Sequence, residues 1–275
     1  MRAALIQLNS SDDPDENLVT TQQFVDHAAD GGAEFVLTPE VTNCVSTSRT
    51  HQRKVLEREA EDQTLAELRI TASRHGIWLL IGSLALKCET DDRFVNRSFL
   101  VDPAGEINAR YDKIHMFDVD ISETETYRES DGYRAGDAAS MGDIDGTKIG
   151  LTICYDVRFP YLYRGMAKSG AQVLTVPSAF SPETGKAHWE TLLRARAIET
   201  GSFVLAPAQC GAHKASRGKG RSTYGHSLAV DPWGRVLVDG GDLPGVSLVD
   251  LDLTLVEDVR RRLPSLLHER QYKMV

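Results

Sequence analysis

No Cys-x-x-Cys pair occurs in this chain, and its four cysteines, Cys44, Cys88, Cys154 and Cys210, are widely scattered. No cluster of cysteine and histidine has zinc-ligand spacing, so neither a metal nor another cofactor is expected. No stretch approaches the roughly 20 apolar residues of a membrane span. The apolar run within residues 1–9 is too short for a signal peptide. Basic charge is scarce as well: 31 Lys and Arg against 40 Asp and Glu give a formal net charge of -9. A nucleic-acid-binding surface needs the opposite balance. These absences lead to the expectation of a cytoplasmic protein with reduced thiols. Its expected partner is a small molecule, with no nucleic acid and no membrane.

The chain has 275 residues, 41% of them hydrophobic. No low-complexity linker divides it, so residues 1–275 are read as one domain. Residues 3–8 read as a first strand. Pro14 opens a helical pattern with Leu18, Val25, Ala28 and Ala29 on one face, closed by Gly31-Gly32. The apolar run Phe35–Leu37 follows and ends at Thr38-Pro39-Glu40. A second helix spans about residues 62–75 and stops at Gly76, ahead of a buried strand at residues 77–81. Two strands, Phe94–Val101 and residues 107–113, flank Asp102-Pro103-Ala104-Gly105, which has hairpin-turn chemistry. Asp145-Gly146 turns the chain into a strand ending at Cys154. A short helix follows Pro160, and another is expected over residues 188–200. Strands at Phe203–Ala206 and residues 227–230, 236–238 and 248–251 complete an alternating α/β pattern. The basic loop 211–221 is expected to be exposed. Residues 31–40 and 169–178 share the order Gly-Ala, apolar strand, proline. This reads either as a weak internal duplication or as the recurrence of ordinary turn residues.

Cys154 is the most informative position. Gly150-Leu151-Thr152-Ile153-Cys154 reads as a strand ending on a thiol, and Pro160 prevents the strand from continuing. A cysteine there is rigidly held yet reachable, as a nucleophile must be. Buried cysteine also serves as plain core filler, and Cys44, Cys88 and Cys210 are read that way. A thiol nucleophile needs a base for its proton and positive charge for the oxyanion that forms. His115, His188 and His226 are possible bases, which would make the chain a Cys–His hydrolase. Glu40 and Lys113 offer another arrangement. Each follows a strand, as Cys154 does, and in open α/β sheets ligands bind beyond the carboxyl ends of strands.

Thr38-Pro39-Glu40, Tyr111-Asp112-Lys113-Ile114-His115 and Ile153-Cys154-Tyr155-Asp156 resemble, in order, the three catalytic motifs of the nitrilase superfamily of carbon–nitrogen hydrolases. The resemblance covers essentially the whole chain. Tyr155-Asp156-Val157-Arg158-Phe159-Pro160, Ala187-His188-Trp189-Glu190 and Asp231-Pro232-Trp233-Gly234 are similar to the Nit branch. Pro177-Ser178-Ala179-Phe180 and Ala208-Gln209-Cys210-Gly211 resemble the deaminated-glutathione amidases within it. Thr38, Lys186 and the segment Val41-Thr42-Asn43-Cys44 depart from the usual pattern near the pocket mouth.

The resemblance implies a four-layer αββα sandwich that pairs into a homodimer or a higher homo-oligomer. It implies catalytic roles for Glu40, Lys113 and Cys154, with Glu129 supporting the lysine and the backbone N–H of Tyr155 helping to hold the oxyanion. The expected activity is amidase hydrolysis of a small carboxylate substrate, deaminated glutathione first and α-ketoglutaramate or α-ketosuccinamate as the ω-amidase alternative. A non-catalytic binding protein on the same fold, or a metal-dependent amidohydrolase, would be a different class. Arg158 is expected either to pair with the substrate carboxylate or to form an ion pair with Asp156 or Glu190. Phe180 and His188 are expected to line the pocket, and Trp189 to lie in the core.

Overall fold

A computed structural model gives the fold and describes residues 1–122 and 125–275. The chain runs β1 (Arg2–Gln7), α1 (Pro14–Asp30), β2 (Phe35–Leu37), α2 (Arg49–Val55), α3 (Gln63–His75), β3 (Trp78–Lys87), β4 (Phe94–Val101) and β5 (Ile107–Asp112). A ribbon of β6 (Asp118–Ser122) and β7 (Glu125–Arg128) follows, then β8 (Ser140–Ile144), β9 (Thr147–Leu151), α4 (Pro160–Lys168), β10 (Val173–Thr175), α5 (Pro182–Thr200) and β11 (Phe203–Ala206). A second ribbon, β12 (Cys210–Ala212) with β13 (Ser222–Tyr224), precedes β14 (Leu228–Val230), β15 (Val236–Asp239), β16 (Gly245–Asp250) and α6 (Thr254–Arg262).

Local chemistry sets the helix ends. Asp13 caps α1 by accepting from the N–H groups of Asp15 and Glu16, with Pro14 in the first turn. Asp62 caps α3, and Gly76 ends it in the left-handed conformation at φ 63°. Helix α5 begins at Pro182, earlier than its apolar pattern indicates, because Ser181 caps it and Pro182 fits its first turn.

Two six-stranded sheets, ordered β16-β1-β2-β3-β4-β5 and β15-β14-β11-β10-β9-β8, stack face to face. They correspond strand for strand. In each, three parallel strands are flanked by antiparallel ones, with β1, β2 and β3 matched by β9, β10 and β11. The similarity of residues 31–40 and 169–178 therefore falls on equivalent central strands, β2 and β10.

Residues alternate between two cores, as the pleat requires. Ala3, Leu5, Leu37 and Leu80 pack with Leu151, Val173 and Leu205 between the sheets. Ala4, Ile6, Val36 and Leu79 pack under Leu18 and Val25 of α1 and Leu65 and Leu68 of α3. Leu162 and Met166 of α4, with Trp189 and Leu193 of α5, cover the second sheet. Both faces of the central strands are buried, which explains their continuous apolar runs. Each leucine buried this way contributes roughly 1.5–3 kcal/mol. The layering is αββα.

The loops after β2 and β10 meet across Gly82. A Cβ there would lie 1.9 Å from the Thr38 carbonyl oxygen and 2.6 Å from Pro177 Cβ. Only glycine permits this approach, and it brings the two strand ends together.

Candidate active site

Glu40 stands beyond β2, where Thr38-Pro39 leads the chain off the sheet. Thr38 Oγ1 accepts from the N–H of Gly82 at 3.0 Å and bonds Thr42 Oγ1 at 2.8 Å. The Glu40 carbonyl oxygen accepts from Gln209 Nε2 at 3.1 Å. The residue is 4% exposed and its carboxylate is fully engaged. Oε1 accepts from Lys113 Nζ at 2.9 Å and from Asn96 Nδ2 at 2.9 Å. Oε2 accepts from the N–H of Ala179, in the loop after β10, at 2.8 Å.

Lys113 leaves β5 with its N–H donating to Asn96 of β4 at 3.0 Å. Besides Glu40, its ammonium donates to Glu129 Oε1 and Oε2 at 3.0 and 2.8 Å. Glu129 opens a single 3-10 turn after β7 and also accepts from the N–H of Phe117 at 2.6 Å. One buried ammonium is thus held between two carboxylates.

Cys154 does not end its strand, as the sequence pattern suggested. Strand β9 stops at Leu151, and Cys154 opens a 3-10 turn, Cys154–Arg158, with φ 49°. That left-handed conformation is costly for a residue with a Cβ. The turn is held by Asp156, whose Oδ2 accepts from the N–H of Ile153 at 2.9 Å, and by the Cys154 N–H, which donates to the Pro177 carbonyl at 2.9 Å.

The electrostatics fix the resting protonation. Burial raises the Glu40 pKa, but the Lys113 ammonium and then the Arg221 guanidinium outweigh it, so Glu40 lies below the usual carboxylate range. Burial alone would lower Lys113; Glu129 and Glu40 reverse this and hold it well above the ordinary lysine value. Burial, followed by the Glu40 charge and a hydrogen bond with Glu40, pushes the Cys154 thiol well above its ordinary value. The resting trio is a carboxylate, an ammonium and a neutral thiol.

These groups open onto a cavity of about 700 Å³. Glu40, Lys113, Glu129, Cys154, Tyr155 and Phe180 all line it. Arg158 and His188 do not. Arg158 Nη2 lies 3.2 Å from His188 Nδ1, and its guanidinium sits near the Tyr155 and Phe180 rings, 5.8 and 5.4 Å from their centroids. Neither Asp156 nor Glu190 pairs with it: Asp156 binds His115, and Glu190 pairs with Arg194. Trp189 is core, 1% exposed. Among the described residues no histidine lines the cavity. His115 bonds Asp156, and His226 bonds Asp239. Among the described residues no group of His, Cys, Asp and Glu is arranged to hold a metal ion.

Sequence reasoning passed over Asn96, Asp156, Arg49 and Arg221. Arg221 hid in the basic loop read as solvent-exposed. The middle of that loop is exposed, but His213 is buried and Arg221 reaches the cavity wall. A polar residue such as Asn96 inside the apolar strand β4 was the one available signal of a buried polar site.

The αββα sandwich brings a buried thiol, carboxylate and ammonium, each beyond the end of a strand, to one cavity. The family model for carbon-nitrogen hydrolases matches residues 2–261, and the chain belongs to that family: it is a hydrolase of amide carbon–nitrogen bonds. Deaminated glutathione amidase of Yersinia enterocolitica is 38% identical over 269 residues, covering 97% of this chain and 92% of its own. The C. elegans NitFhit protein matches with a TM-score of 0.90 and 36% identity; 98% of this chain is covered, and it spans 65% of the NitFhit chain. The amidase of Nesterenkonia sp. AN1, a nitrilase-superfamily member, matches with a TM-score of 0.78 and 29% identity over 96% of this chain and 98% of its own. That amidase carries acrylamide added to its active-site cysteine in one mutant form.

Proposed function

We propose that Cys154 is the nucleophile of an amidase whose base is Glu40 and whose substrate is deaminated glutathione. The observation that carries this reading is the Glu40–Lys113–Glu129 chain of hydrogen bonds beside Cys154 at the cavity. The Yersinia relative's substrate supports the choice of amide.

In the proposed reaction, Glu40 takes the Cys154 proton as sulfur bonds to the amide carbonyl carbon. The neutral resting thiol makes proton removal and attack concerted. Lys113 Nζ and the N–H of Tyr155 hold the oxyanion. Glu40 returns the proton to the amide nitrogen as the C–N bond breaks, leaving a thioester and the free amine. Glu40 then takes a proton from water, hydroxide oxygen bonds to the acyl carbon, the C–S bond breaks, and sulfur regains the proton. Asn96 and Ala179 aim the Glu40 carboxylate, and Glu129 fixes the ammonium that faces it.

The experiment is a panel measuring amine release from deaminated glutathione, α-ketoglutaramate and α-ketosuccinamate. This reading expects the largest kcat/KM for deaminated glutathione. A larger value for α-ketoglutaramate makes the chain an ω-amidase, and turnover of none places the substrate outside these three amides.

We also propose a cytoplasmic homodimer. Buried free thiols at all four cysteines support a reducing compartment. Tyr161 of α4 and Ile198 of α5, 65% and 47% exposed, support helix-mediated pairing. Sedimentation equilibrium giving a monomer at micromolar concentration would overturn the dimer.

A further inference from the structure

Among the described residues two buried side-chain polar atoms lack a hydrogen-bond partner, Asn96 Oδ1 and Arg221 Nε. Both residues line the active-site cavity. A buried unsatisfied donor on a guanidinium is costly and is retained where a ligand completes it.

Arg221 directly precedes β13. Its Nη2 donates to the carbonyl of Ala179 at 2.5 Å, and the N–H of the same residue donates to Glu40 Oε2 at 2.8 Å. Arg221 therefore stands one peptide unit from the base. The other charges of the cavity are already matched or lie at its edge. Lys113, Glu40 and Glu129 bind one another, and Arg128 is paired with Asp120 at 2.7 Å. Glu183 and Lys219 are exposed. Arg49 bonds Gln52 at 3.0 Å and lies 4.9 Å from the Tyr133 ring centroid. Arg221 forms no ion pair among the described residues, and its ring contact is with Tyr127, 5.6 Å from the centroid. A half-buried fork whose Nε is buried and spare, next to the base and lacking a carboxylate, matches an incoming carboxylate in charge and geometry.

We propose that Arg221 anchors the carboxylate on the acyl side of the substrate and so selects amides of dicarboxylic acids over neutral amides. This rests on the amidase reading above. Binding has a second effect. Arg221 now holds Glu40 down, so a carboxylate that neutralises Arg221 raises the basicity of Glu40 when substrate is in place.

The test compares kcat/KM for α-ketoglutaramate and for pentanamide in the wild type, Arg221→Gln, Arg221→Lys and Arg49→Gln. The anchor predicts that the ratio falls about 100-fold in Arg221→Gln, that Arg221→Lys keeps part of it, and that Arg49→Gln keeps it. Inhibition of pentanamide turnover by 2-oxoglutarate should weaken in parallel. If Arg221→Gln does not fold, Arg221→Lys carries the test, since loss of the bidentate fork alone must lower the ratio. An unchanged ratio in a folded Arg221 variant overturns the proposal, as does collapse of the ratio in Arg49→Gln alone. A wild type that hydrolyses neither these amides nor deaminated glutathione, or a Cys154→Ala variant that hydrolyses any of the three, contradicts the amidase reading itself.

Discussion

His115 Nδ1 donates to Asp156 Oδ1 at 2.6 Å, and this bond ties the turn that carries Cys154 to the segment that carries Lys113. The fully buried Asp156 carboxylate gathers both sides. Oδ1 also accepts from the N–H of His115 at 3.1 Å; Oδ2 accepts from the N–H of Ile153 at 2.9 Å and from Tyr111 Oη at 2.7 Å. His115 stacks on Phe159, centroid to centroid 3.6 Å. The turn of Cys154 and the segment of Lys113 are therefore positioned through one acid.

Asp156→Asn tests that link. Whichever way the amide turns, its NH2 meets a backbone N–H, from Ile153 or from His115. Each such loss costs about 1.5–3 kcal/mol, so the melting temperature falls by at least about 3 °C. Turnover falls further than stability explains, because Cys154 and Lys113 lose register. Unchanged kcat in a variant with lowered melting temperature confines Asp156 to a structural role.

The pH profile follows from the resting protonation. Glu40 acts as a base only when ionised, and its pKa lies below the usual value of about 4.3. Activity is therefore lost as pH falls through a point beneath that value. At the alkaline side Cys154 and Lys113 both titrate above their ordinary values. The profile of kcat/KM is flat from about pH 5.5 to pH 9. An acidic limb near 6.5, the ordinary histidine value, contradicts Glu40 as the base.

Glu129→Gln removes one of two carboxylates on Lys113. The remaining partner, Glu40, then bears the whole ammonium charge, which lowers its basicity. A loss in kcat of about 10²-fold is expected, with little change in KM for a substrate that does not touch Glu129. Steady-state kinetics on purified, folded protein read this directly. A rise in KM at constant kcat would assign Glu129 to substrate binding.

The fold was legible where the chain advertises it. Asp62 and Gly76 mark the ends of α3, and the apolar runs at β2 and β11 are buried on both faces. Glu40, Lys113 and Cys154 were visible as a carboxylate, an ammonium and a thiol at the ends of expected strands. The Cys154 turn was not, because its positive φ is imposed by Asp156 and by the Pro177 carbonyl, partners that no local pattern displays. Arg221 was hidden for the same reason. Its loop has the composition of a solvated segment, and the Ala179 carbonyl, 42 positions away in the chain, draws its guanidinium inward.

Intact-mass spectrometry after rapid acid quench tests the central claim, that Cys154 forms a thioester with Glu40 as its base. Wild type mixed with α-ketoglutaramate or deaminated glutathione should gain the mass of the acyl group less one hydrogen, mapped to Cys154. Glu40→Gln should fold, accumulate little adduct and lose about 10²–10⁴ in turnover. Cys154→Ala should show neither adduct nor turnover. Amide hydrolysis by Cys154→Ala, or a Glu40→Gln variant as active as the wild type, contradicts the account.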